Sequence, residues 1–65
     1  MVKMQMDKRD IYNLLLYRLQ ELEAVADRQR VTSQIEITKF LLSELFGEVP
    51  DEKKRKNYFN HIESL

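Results

Sequence analysis

Ile11-Tyr12-Asn13-Leu14-Leu15-Leu16-Tyr17-Arg18-Leu19-Gln20-Glu21-Leu22, projected at about 100° per residue, belongs to a helix that is apolar around too much of its circumference. With its continuation to Ala26, the arc of Leu14, Val25, Ile11, Leu22, Leu15, Ala26, Leu19, Tyr12 and Leu16 covers roughly 200°, whereas a core-facing stripe needs little more than 100°. Ile35 to Phe46 repeats the pattern: Ile37, Leu41, Leu45, Leu42, Ile35 and Phe46 fill about half of a second wheel, with Phe40 just outside. One neighbouring helix cannot cover either face, so the pattern points to a partner chain.

The surrounding sequence supports helices rather than strands. One Gly and one Pro in 65 residues leave too few turn signals for a many-stranded fold. The first helix is expected over residues 7–28. It opens at Asp7, with Met6 and Ile11 spaced as a hydrophobic staple and Asp10 in an acidic first turn, and it closes near Arg28. Ser33-Gln34-Ile35-Glu36 matches a capping box and starts a second helix, residues 33–46. Gly47 can take the left-handed conformation that closes it, and Pro50 cannot continue it. A third helix is expected over residues 50–63, with Asp51 and Glu52 in its first turn. Residues 31–38 also read as a partly alternating strand, but a single strand has no sheet to join. The fold class is therefore all-α: a small three-helix unit with one long and two shorter helices, expected to pack as a homodimeric helical bundle. Residues 1–6 are expected to be a frayed N-terminus, and residues 7–65 one helical domain.

Size sharpens the expectation of association. A chain of 7.9 kDa buries only about 60% of its unfolded surface. Small domains usually add disulfides, a metal or self-association, and with no Cys and one His the first two are excluded. A first helix of about 22 residues spans roughly 33 Å against roughly 21 Å for each of the others, so about a third of it overhangs. A two-fold partner covers such a helix most simply.

Candidate contacts lie on the first helix. Arg18 falls inside the apolar arc, between Val25 and Ile11, where its stem can lie on the core while its charge reaches water, pairs with Glu21, or meets a carboxylate across an interface. Tyr12 and Tyr17 flank it, and Tyr with Arg is the composition of binding hot spots. Tyr12, Leu16, Tyr17 and Arg18 are the expected partner-binding residues.

Lys53-Lys54-Arg55-Lys56-Asn57 is the alternative site, four cations and a hydrogen-bonding side chain followed by Tyr58 and Phe59. If residues 46–49 were the turn of a helix-turn-helix, these residues would open its recognition helix. Aligning Gly47 with the glycine of that turn, however, puts Lys53 and Lys56 where buried aliphatic residues belong. Asp51 and Glu52 would also face the phosphates. A solvated basic face is the simpler reading.

Catalysis has little to work with. His61 is the single imidazole, no cysteine can act as nucleophile or ligand, and Glu23 with Asp27 makes a poor cation site without further oxygen ligands. No cofactor or metal is expected. No run approaches the roughly 18 apolar residues of a membrane span, residues 1–6 lack a signal-peptide core, and the charges, 11 of each sign, cancel. The chain is thus expected to be a cytoplasmic, non-catalytic protein-protein interaction module, self-associating, with a heterologous protein as the alternative partner, of the accessory, regulatory or inhibitory kind that bacteria and phages encode. The competing expectation is a nucleic-acid-binding regulator.

Overall fold

A computed structural model describes residues 7–64 and contains three helices and no strand among them: α1 Lys8–Val25, α2 Thr32–Phe46 and α3 Glu52–Glu63. The expected frayed segment 1–6, the Met6 staple and Leu65 lie outside the described residues.

Local chemistry sets most helix ends. Asp7 caps α1 reciprocally: its carboxylate accepts from the Asp10 N–H at 2.9 Å, and the Asp10 carboxylate accepts from the Asp7 N–H at 3.3 Å. Two otherwise orphaned donors are satisfied, and both carboxylates lie at the positive end of the helix dipole. The helix ends at Val25, short of Arg28, and closes in tight turns in which the Arg28 and Gln29 N–H groups both donate to the Val25 carbonyl. Eighteen residues make α1 shorter than expected, which reduces its overhang over the 15 of α2 and the 12 of α3.

The Ser33 capping box does not form. Helix α2 begins at Thr32 after Val31, which supplies no side-chain cap. Val31 is 6% exposed, so burying this side chain against the core outweighs a local cap worth about 1 kcal/mol. The segment that also read as a strand is helical from Thr32 onward. Gly47 ends α2 at φ 77°, its N–H donating to the Ser43 carbonyl. Pro50 stays outside α3, which is capped by Asp51 through the Lys54 N–H at 2.9 Å.

Helices α1 and α2 pair antiparallel. Tyr12 meets Phe46 edge-on with ring centroids 4.9 Å apart, while Leu16, Leu19 and Leu42 form a fully buried cluster. Leu22 and Val31 extend that core, and Tyr12, Leu15, Ile35, Phe46, Tyr58 and Phe59 pack around it. Helix α3 lies against α1 on one side of the α1/α2 pair. Its contacts are aromatic and polar: Phe59 stacks on Tyr17 at 4.4 Å, and the Tyr58 hydroxyl donates to Asn13.

Candidate functional site

The position of α3 decides which apolar residues remain uncovered. On α1, Asn13, Tyr17, Gln20 and Glu23 touch α3, as does Tyr12 at the edge of the core. At 100° per residue, the opposite side carries Ile11, Leu14, Arg18 and Val25. On α2, Leu42 faces α1, Ile35 and Phe46 turn toward the α3 side, and the other flank carries Ile37, Leu41 and Leu45. These two flanks form one face of the α1/α2 pair.

That face is apolar and open to solvent. Leu14 and Ile37 are each 59% exposed, Leu45 49% and Leu41 39%. Phe40, 61% exposed, lies beyond its α2 edge. Arg18 is exposed in the middle of the α1 half, and Glu21 and Glu44 border the two outer margins. Among the described residues none of these three charges has an ion-pair partner within the chain.

The expected contact residues divide between different places. Arg18 alone lies on the open face. Leu16 is completely buried in the chain's own core and offers no surface to a partner. Tyr12 is half-buried between Phe46 and Tyr58, and its hydroxyl donates to Glu48 at 3.3 Å. Burial of the ring, then the charge and hydrogen bond of Glu48 and the proximity of Tyr58, raise the Tyr12 hydroxyl above its ordinary pKa. Tyr17 is partly exposed, but its ring lies on Phe59, on the side of α1 that holds α3. Sequence reasoning did not single out Leu14, Ile37, Leu41 and Leu45 as site residues. Their signal was the excess width of both apolar arcs, which does not say which part of the arc α3 will cover.

The basic segment is broken by Arg55. This residue is 2% exposed and points inward, where Nε donates to Gln20 at 3.0 Å, Nη1 to the Pro50 carbonyl at 2.8 Å, and Nη2 to the Glu23 carboxylate. It therefore belongs to no basic surface. Lys53, Lys54, Lys56 and Asn57 remain exposed, with Lys56 paired to Glu52 at 3.2 Å. A groove of about 660 Å³ runs beside them, lined by Asp51, Glu52, Lys53, Lys56, Asn57 and Asn60, with no serine, threonine or histidine in the lining. His61 is exposed near the end of α3. Glu23 is engaged by Arg55, away from any joint site with Asp27. Among the described residues no three potential metal ligands gather, and no helix is long and apolar enough to cross a membrane.

Compared with protein-family models, curated proteins and solved structures, the chain matches none.

Proposed function

We propose that this chain is a non-catalytic protein-protein interaction module that works by self-association through the open face of α1 and α2, in a small accessory or regulatory role of the bacterial or phage kind. The observation that carries the reading is the cluster of Leu14, Ile37, Leu41 and Leu45, all at least 39% exposed on one face, beside a small core that among the described residues buries Leu16, Leu19, Leu22, Val31 and Leu42. The exposed surface of these four side chains comes to roughly 370 Å², within the about 300–600 Å² of the largest apolar patch on an ordinary monomer and nearly half of the about 800 Å² per partner of a standard interface. Arg18, Glu21, Gln34 and Glu44 supply polar surface around it. The nucleic-acid reading is weaker, because burial of Arg55 leaves three exposed lysines, two of which share their groove with Asp51 and Glu52.

Light scattering over a concentration series tests this. The expected result is twice the monomer mass at high concentration, with Leu41→Glu reduced to monomer mass while retaining its helical circular dichroism. Leu41 is the apt position because it is exposed, whereas a charge at Leu16 would unfold the core. A wild-type chain that remains monomeric at millimolar concentration would refute self-association.

A further inference from the structure

The open face carries Arg18 and is bordered by Glu44, both exposed, and their placement bears on what would set the register of the dimer proposed above. Tyr12 faces Phe46 and Leu16 clusters with Leu42, so the antiparallel pairing puts Leu14 level with Glu44 and Arg18 level with Phe40. A two-fold axis lying in the open face, parallel to the helices, would stack α1 of one copy on α2 of the other and preserve these levels. Every neighbouring pair in the resulting four-helix layer would then run antiparallel.

In that arrangement Arg18 and the Glu44 of the second copy differ in height by one turn, roughly 6 Å. Side chains on a helix lean toward its N-terminus, so Arg18 leans toward the level of Leu14 while Glu44 leans toward the level of Phe40. Because the stacked helices are antiparallel, the two side chains lean toward each other. Within one chain they cannot meet, since Arg18 projects from the middle of the α1 flank and Glu44 from the far margin of α2, and neither has an ion partner among the described residues. We infer that Arg18 of each copy pairs with Glu44 of the other, twice per dimer, and that this pair selects a second copy of the chain in this register. The inference rests on the self-association reading and goes further by assigning the residues that make it specific.

The two roles separate experimentally. Arg18→Glu and Glu44→Arg each place like charges together at both sites of a homodimer, and each is expected to weaken dimerisation roughly tenfold to a hundredfold in sedimentation equilibrium. Mixed in equal amounts, the two full-length variants form a heterodimer in which both sites again hold opposite charges. Its affinity is expected to return to within about threefold of wild type. Arg18→Ala, Glu44→Ala and the double variant repeat the test without repulsion, the double being no weaker than either single. If the wild type dimerises but the mixture is no tighter than the separate variants, or the alanine effects simply add, the pairing is wrong and self-association stands. A monomeric wild type removes both, and binding only to a different protein would overturn the second-copy assignment.

Discussion

A guanidinium is tolerated inside a protein only when its fork of donors is matched, and Arg55 meets that requirement with Gln20, the Pro50 carbonyl and Glu23. Three separate segments are tied by one side chain, and α3 has few buried aliphatic contacts to hold it otherwise. Arg55→Ala is therefore expected to cost about 2–3 kcal/mol, somewhat below a wholly buried pair because Glu23 keeps contact with water. Arg55→Lys should recover little, since an ammonium cannot reproduce the planar fork. Urea unfolding checks both, and a midpoint equal to that of Lys53→Ala would show that the buried network contributes nothing. In the sequence Arg55 is indistinguishable from its three neighbouring lysines. Which of four consecutive cations turns inward depends on where α3 docks on α1, and the donor geometry that favours arginine becomes visible only once acceptors on two other segments are in place.

The helices themselves were more legible, because their ends are fixed by residues close in sequence. Asp7 with Asp10, and Asp51 with the Lys54 N–H, act through short-range hydrogen bonds that the string already implies. Where the local signal failed, at Ser33, burial of Val31 prevailed, and burial is a property of the whole fold. Gly47 is the cleanest local determinant. Its φ of 77° disfavours a side chain, yet a Cβ there would meet nothing within 4 Å. Gly47→Ala is thus expected to destabilise the protein by about 1 kcal/mol through the backbone alone, and to leave the proposed self-association unchanged at temperatures where the chain is folded. Thermal unfolding with a parallel light-scattering run measures both quantities. A loss several times larger would mean that the α2–α3 turn carries contacts beyond its backbone conformation.

At the scale of the molecule, the wide apolar arcs announced more surface than one chain can bury, and the fold leaves such a surface open. Its location was not legible, since α3 could have docked on either side of the α1/α2 pair, and the contacts that decide the matter, Tyr17 on Phe59 and Arg55 on Gln20 and Glu23, join residues more than 30 positions apart. Native proteins are stable by only about 0.05–0.15 kcal/mol per residue, so a domain of this size, whose described core is Leu16, Leu19, Leu22, Val31 and Leu42, has little reserve. If association supplies part of the stability, mass action makes that part depend on concentration. Each tenfold rise in protein concentration above the dissociation constant should then raise the thermal midpoint by a few degrees, given that about 1 kcal/mol shifts a domain of this size by roughly 4–8 °C. Leu41→Glu should lose this dependence and melt near the dilute limit of the wild type, because Leu41 is 39% exposed in the single chain and lies outside its fully buried cluster. Calorimetric scans of both proteins over two decades of concentration read the difference directly. Parallel, concentration-independent midpoints would mean that the open face contributes nothing to the stability of this chain by self-association.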